Sequence, residues 1–254
     1  MKFKDKTAVI TGGAKGIGAA CAKMFHDEGA NVVLLDVDKE GPLSPAERWL
    51  YLQCNVSAEE SVKQAFSAIQ VTFGEVHYLV NNAGIQRYGS VTETSAEEWD
   101  LVFNVNLKGM FLCAKHAIPL MQPHKKGVII NVASVQAFVS QRKVAAYTTA
   151  KTAILGLTRS IAIDYAPYIR CVAVCPGTIN TPMLQDSFAL SPDPGEVMQE
   201  CIDMHLTQRI GEAAEVAALV TFLCEDKASF ITGEAIRIDG GLGISIGGSK
   251  RDEV

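Results

Sequence analysis

The sequence predicts one α/β domain: a doubly wound parallel sheet with helices on both faces. Three observations carry this. Short apolar runs of strand length alternate with segments of helical period, a glycine-rich turn joins the first run to the first helical segment, and 254 residues at 48% hydrophobic composition are enough for one large core.

Each element has its own signal. Thr7–Thr11 (TAVIT) is apolar on both faces, as a strand covered by helices on both sides must be. Ile17–Glu28 repeats apolar residues at three- and four-residue steps and stops at Gly29, a residue suited to ending a helix. Val32–Asp36 and Leu50–Cys54 read as the next strands. The twelve residues between Asp36 and Trp49 contain Gly41, Pro42 and Pro45 and are too short and too broken for a crossover helix, so that helix is expected to be missing. Helices follow at Ala58–Phe73, Glu97–Met121, Ala145–Tyr165 and Ala213–Leu223, and strands at Tyr78–Val80, Val128–Val132, Cys171–Val174 and Ala235–Ile238. Between Pro176 and Glu212 the periodicity lapses into TINTPMLQDSFALSPDPGE. A connection that long is expected to act as a mobile substrate flap, at about residues 178–211 of a single domain spanning 1–254.

Composition excludes several functions. The net charge is −5, with Lys and Arg scattered, so no positive field is available for nucleic acid. No apolar run reaches the roughly 20 residues of a membrane span, and MKFKDKTAVITGG carries no cleavage signal, so a cytoplasmic protein is expected. The seven cysteines lack paired CxxC spacing and read as reduced core residues; Cys171 and Cys175 have no companion Cys/His cluster. His26, His77, His116, His124 and His205 show no metal spacing and read as structural or surface residues, so no metal is expected.

The turn Thr11–Gly18 (TGGAKGIG) lets the backbone fold tightly and points amides at an anion at a helix N-terminus, the signature of a Rossmann-like dinucleotide site. Eighteen positions after Gly18, Asp36 ends the second strand. A carboxylate there accepts hydrogen bonds from ribose hydroxyls and repels a 2′-phosphate, which favours NAD. Lys15 argues the other way, since a cation in the glycine loop could pair with that phosphate, and NADP stays open.

Taken together in this order, TGxxxGxG at 11–18, NNAG at 81–84, Asn106, Ser134, Tyr147 and Lys151 in YTTAK, and PGTINTP at 176–182 resemble the short-chain dehydrogenase/reductase family over nearly the whole chain. NVASVQ, AGIQRYG and the end of the flap are also similar to its aldohexose dehydrogenase branch. The resemblance implies that Gly12, Gly16 and Gly18 line the pyrophosphate and that Lys15 and Ile17 also belong to the cofactor site. It implies that Asn82, Ala83 and Gly84 stabilise the sheet beside the cofactor, that Pro176, Gly177, Ile179 and Thr181 lie at its nicotinamide end, and that Val56 belongs to the adenine side. It assigns Ser134, Tyr147, Lys151 and Asn106 to catalysis. Where the family carries an acidic residue for the adenine amino group, this chain has Asn55, whose side-chain carbonyl can still accept that hydrogen bond. Homodimers or homotetramers are implied through the helices at Glu97–Met121 and Ala145–Tyr165 and the last strand, with the tail LGISIGGSK packing on a neighbour.

Tyr147 and Lys151, four apart on a helix, can project from one face, and an ammonium near a phenol whose ordinary pKa is about 10 favours the phenolate. Ser134 follows a strand at the end where active sites gather, with its hydroxyl placed to hold a substrate oxygen. Asn106 lies in an apolar helical stretch, as a water site at a kink or as a plain core amide. Gln86, Arg87, Gln136, Ser134 and Tyr147 are expected to meet a small polar alcohol, such as an aldose. The rivals are an NADPH-dependent reductase of 3-oxoacyl groups on a carrier protein, or of another carbonyl, and a dinucleotide sensor without catalysis.

Overall fold

The computed structural model describes residues 1–40, 47–188 and 191–244. β1 (Thr7–Thr11), β2 (Asn31–Asp36), β3 (Trp49–Gln53), β4 (Tyr78–Asn81), β5 (Gly127–Val132) and β6 (Ile169–Pro176) match the expected strands to within about two residues. Helices α1 (Gly16–Asp27) and α2 (Glu59–Phe73) also fall where the periodicity put them. The long helix expected at Glu97–Met121 is two: α3 (Ala96–Phe103) and α4 (Gly109–Met121), joined by a π-helical turn at Asn104–Lys108. α5 runs Ala145–Tyr165. Beyond β6 come β7 (Ile179–Asn180), α6 (Pro182–Phe188), α7 (Pro194–Asp203), β8 (Gly211–Glu212), α8 (Ala213–Cys224) and β9 (Ala235–Ile238).

Seven strands form one parallel sheet in the order β3-β2-β1-β4-β5-β6-β9. The chain winds outward one way from β1 and then the other way from β4. That order creates a crevice at the strand ends between β1 and β4. Strand residues alternate between two cores. Val9, Val33, Leu79 and Ile129 pack under α2 and α4, whereas Ala8, Ile10, Leu34, Val80 and Ile130 pack under α1 and α8. A sheet covered on both faces needs apolar residues at every position, which is why these strands read as continuous runs.

Two expectations are refined. Residues 37–40 and 47–48, the described part of the β2–β3 connection, form bends and turns and no helix, in keeping with the missing crossover; 41–46 lie outside the described residues. The stretch read as an irregular flap holds two helices. Asp193 accepts a hydrogen bond from Glu196 N (3.0 Å) with Pro194 in the first helical position, so Asp-Pro here is a helix start and not a turn. The end of the tail read as packing on a neighbour, from 245 on, also lies outside the described residues.

At the other end of the sheet, Thr7 and His77 join β1 to β4. The backbone N–H of His77 donates to Thr7 O (2.9 Å), and the Thr7 N–H donates to His77 Nδ1 (3.2 Å). Burial, with smaller contributions from Lys6, His124 and Lys126, holds the imidazole well down, at about 4 against an ordinary 6.5. The unfolded chain therefore binds the extra proton first as pH falls. The stabilisation is fully present above pH 6.5 and is lost between about 6.5 and 4, on the order of 3 kcal/mol. His77→Asn keeps an acceptor near Nδ1 and removes the titration, so denaturant melts at pH 7, 5.5 and 4 should show a shallower loss of stability. A variant as acid-sensitive as the unaltered chain would assign the titration elsewhere.

Candidate active site

A cavity of about 580 Å³ opens at the carboxyl ends of β1, β2, β4, β5 and β6. Its size lies within the usual range for small-molecule and cofactor sites. At one end is the glycine turn. Gly12 (φ +61°) and Gly16 (φ +57°) adopt left-handed backbone that a side chain would strain. Lys15, at the N-cap of α1, provides no side-chain hydrogen bond, so amides of the first helical turn are left to face an anion. Lys15, Gly16 and Ile17 line the cavity, but Gly18 does not. Gly18 is buried, and a Cβ there would run into Gly12 O and come 2.7 Å from Asn82 Nδ2. It shapes the loop from behind; it does not touch what the loop holds.

Asn82 ties this turn to β4. Its Nδ2 donates to Thr11 O (3.1 Å) and Gly12 O (3.0 Å), while Asn82 N and Ala83 N donate to Thr11 Oγ1. Asp36 is 8% exposed and lines the cavity, one carboxylate oxygen accepting from Ala14 N (2.9 Å). Lys15 Nζ lies 3.8 Å from the Asp38 carboxylate. Asn55 and Val56 also line this end. The Asn55 carbonyl, however, accepts from both Ser57 N (3.0 Å) and Ser57 Oγ (2.7 Å). An adenine amino group reaching this carbonyl would compete with the Ser57 hydroxyl for it.

At the other end, Ser134, Tyr147 and Lys151 share a wall, all buried. Ser134 Oγ accepts from Gln136 N (3.1 Å), which leaves its own proton free to donate. Lys151 Nζ donates to Val132 O (2.9 Å) and sits 5.5 Å from the centre of the Tyr147 ring. Burial pushes the Tyr147 phenol up to about 12, against a lowering by hydrogen bonding toward Ser134 and a further rise from Tyr88. Burial likewise pulls Lys151 down to about 8. The expectation that the ammonium brings the phenol down is therefore not met in the protein by itself. Lys151 is drawn toward a carbonyl and faces the ring, and desolvation dominates both groups.

Pro176, Gly177, Ile179 and Thr181 also line the cavity, as do Gly84, Ile85 and Gln86. Gln136 lines it with Oε1 already accepting from Thr148 Oγ1 (3.2 Å). Arg87 is no part of the lining; it is exposed and donates to Gln86 O. Asn106, in the π-helical turn, also stays outside the lining: its amide is used on both backbone groups of Ile85, at 2.8 and 2.9 Å. A Cβ on Gly84 would lie 3.3 Å from Asn106 Oδ1 and 3.6 Å from Lys151 Nζ, so both groups flank Gly84.

A family model described as enoyl-(acyl carrier protein) reductase matches residues 12–243. An uncharacterised oxidoreductase of Thermotoga maritima is 38% identical over 251 residues, covering 95% of this chain and 98% of that one. Levodione reductase of Leifsonia aquatica is 36% identical over 253 residues, covering 94% and 95%. The ligand-free structure of Thermoplasma acidophilum aldohexose dehydrogenase superposes with a TM-score of 0.93 at 39% identity, covering 98% of each chain. This chain belongs to the short-chain dehydrogenase/reductase family. Members bind a nicotinamide dinucleotide and act on CH–OH groups, and this protein is an oxidoreductase of that type.

The short-chain dehydrogenase/reductase motifs found Ser134, Tyr147 and Lys151 and both cofactor loops, but not the outer wall. It includes Tyr88, Val139, Ser140 and Gln141 together with Met183, Leu184, Phe188, Val197, Cys201 and Met204 of the flap. A signal existed: Val197, Cys201 and Met204 are spaced four and three apart, the period of one helix face. Glu75, His77 and His124 also converge at the far end of the sheet, with His77 Nε2 3.7 Å and His124 Nδ1 3.5 Å from Glu75 Oε2. Because Thr7 N–H donates to His77 Nδ1, the neutral ring carries its proton on Nε2, which then has no lone pair for a metal.

Gly18→Ala should cost about 1–3 kcal/mol through forced displacement of the Gly12 carbonyl and should weaken NADH binding even though residue 18 does not face the cavity. Thermal melts and fluorescence titration check this; unchanged NADH affinity would show that the loop absorbs the methyl.

Proposed function

We propose that this protein is an NAD-linked dehydrogenase that interconverts a secondary alcohol and its carbonyl on a compact substrate. The observation that carries the reading is the convergence of Ser134, Tyr147 and Lys151 on one buried wall of a cavity whose other end carries the Asp36 carboxylate. A bound nicotinamide dinucleotide supplies the redox partner at its nicotinamide ring. The Ser134 hydroxyl, free to donate, holds the substrate oxygen. Tyr147 takes the proton of the alcohol, or returns it to the carbonyl oxygen. Lys151 is the residue that would hold the cofactor ribose, and its ammonium would favour the ionised form of the Tyr147 phenol, which burial alone pushes up to about 12. Asn106 positions Ile85 and touches no reacting atom. Gly12, Gly16 and the first turn of α1 receive the pyrophosphate.

NAD is favoured because Asp36 and Asp38 outnumber Lys15 where a 2′-phosphate would sit, and Asp38 already engages that lysine. kcat/KM should be at least tenfold higher with NAD than with NADP, and Asp36→Ala should narrow the gap. A tenfold preference for NADP in the unaltered protein would overturn the assignment.

The substrate half is mixed. Gln86, Ser140 and Gln141 offer polar groups, but Met183, Leu184, Phe188, Val197 and Met204 make the flap side apolar. This suits a small alcohol with one hydrocarbon face and hydrogen-bonding groups beside the carbinol. An aldose is the second reading, favoured by the polar side and by the likeness to aldohexose dehydrogenase. Reduced-nicotinamide absorbance across cyclic and acyclic diols, aldoses and 3-oxoacyl thioesters tests both; turnover of thioesters alone would favour the carrier-linked rival, and none at all would favour the sensor. Assembly into homodimers or homotetramers is part of the reading, supported by exposed Leu101, Phe111 and Ile163 on α3, α4 and α5. A stable monomer by light scattering would remove it. A cytoplasmic setting is supported by seven free cysteines, six of them buried, and no helix among the described residues is long and apolar enough to cross a membrane.

Tyr147→Phe keeps the ring and deletes the proton acceptor, so kcat should fall by ~10²–10⁴ with little change in NADH affinity. Ser134→Ala should lose less, and Lys151→Ala should weaken cofactor binding and shift residual activity to higher pH. Steady-state kinetics on folded variants check this. More than about a tenth of the activity left in the phenylalanine variant would point to another base.

A further inference from the structure

One buried imidazole fastens the flap to the cofactor loop. His205 comes one residue after Met204, the C-cap of α7, closes up against the helix end and is 2% exposed. Its Nδ1 lies 2.6 Å from Cys201 O, a carbonyl in the last turn of α7; the backbone N–H of His205 goes elsewhere, to Ile202 O. A carbonyl only accepts, so Nδ1 carries the ring proton and caps the helix end. On the other side Thr178 N–H donates to Nε2 at 3.2 Å. A backbone amide only donates, so Nε2 must present its lone pair. Both partners demand the same neutral tautomer.

The slot is fitted to the ring. A Cβ on Gly177 would come 2.9 Å from His205 Nε2, and one on Gly240 would come 3.2 Å from its Cδ2. Glycine at both positions lets the imidazole lie directly against the ends of β6 and β9. The segments it joins face different halves of the cavity. Cys201 and Met204, from α7 and its end, line the substrate half, while Gly177, Thr178 and Ile179 line the cofactor half.

We propose that His205 is a positioning residue that locks the substrate wall of α7 and the cofactor loop at Thr178 in one relative setting. It touches no reacting atom and acts through Met204 and Cys201 on one side and Ile179 on the other. The proposal deepens the dehydrogenase reading above and rests on it.

Two substitutions separate the tie from the cap. His205→Asn places an amide near Nδ1, keeping the Cys201 carbonyl capped but falling short of Thr178; His205→Gln reaches the Nε2 position and keeps an acceptor for Thr178 N–H. The asparagine variant should raise substrate KM ~10-fold and lower kcat several-fold, and the glutamine variant should stay within about threefold of the unaltered chain in both. NADH affinity should change by less than about threefold in either, since most contacts to a dinucleotide lie at the glycine turn and Asp36. Hydrogen exchange reads the tie with no substrate present: the Thr178 amide should be protected in the unaltered chain and the glutamine variant, and should exchange at least ~10-fold faster in the asparagine variant. A Thr178 amide that is unprotected in the unaltered chain overturns the proposal. So does an asparagine variant with substrate KM within twofold of the parent, or a glutamine variant no better than the asparagine one. Should the unaltered chain oxidise no alcohol and reduce no carbonyl, the dehydrogenase reading fails, and Thr178 exchange still decides whether the tie exists.

Discussion

β1 and β4 are hydrogen-bonded neighbours whose chains leave the sheet in opposite directions, and the backbone groups exposed by that parting must be paired again. Thr11 and Asn82 supply the pairing: one hydroxyl accepts two amides from the β4 side, and one amide donates to two carbonyls on the β1 side. The cavity lies directly over this junction. Buried polar backbone left unpaired costs about 1–3 kcal/mol per group, so the crevice can stay open for a ligand because these side chains satisfy the backbone beneath it. Gly12 and Gly18 then follow as consequences, since both lie against Asn82 with no room for a methyl group.

Burial sets the chemistry of the far wall. Tyr147 and Lys151 are both moved toward their neutral forms, the phenol up and the ammonium down. Desolvation thus outweighs charge–charge attraction between these two groups, which is the reverse of what a lysine four residues from a tyrosine suggests when read from spacing alone.

The outer wall is built on different terms. Tyr147 and Lys151 stand on α5 and Ser134 just beyond the end of β5, elements packed into the cores, whereas Met183, Leu184, Val197 and Met204 stand on or beside two short helices. α7 has no fully buried side chain, although β6, from which this segment departs, is buried almost throughout. A binding surface carried on lightly anchored helices depends on a few specific attachments, and the neutral imidazole of His205 is one of them.

The sequence alone determined the alternation of strands and helices, the glycine turn, Asp36 at the end of β2, and the shared helix face of Tyr147 and Lys151, to which family resemblance added Ser134. Each is written locally: a strand buried on both faces must be apolar along its length, a left-handed turn requires glycine, and residues four apart on a helix share a face. What local pattern cannot contain is what lies across a gap in sequence. That Gly18 presses on Gly12 from behind, that the Asn55 carbonyl accepts from Ser57, and that Asn106 binds Ile85 instead of facing the cavity are decided by packing and hydrogen-bond competition. The flap shows both sides of this division. Asp193, Pro194 and the spacing of Val197, Cys201 and Met204 encode its second helix, but only the folded chain brings His205 to Thr178, twenty-seven residues away, and places the apolar flap residues in the same cavity as Ser134. Side-chain identity fixes which hydrogen bonds are available; tertiary proximity decides which partner takes them.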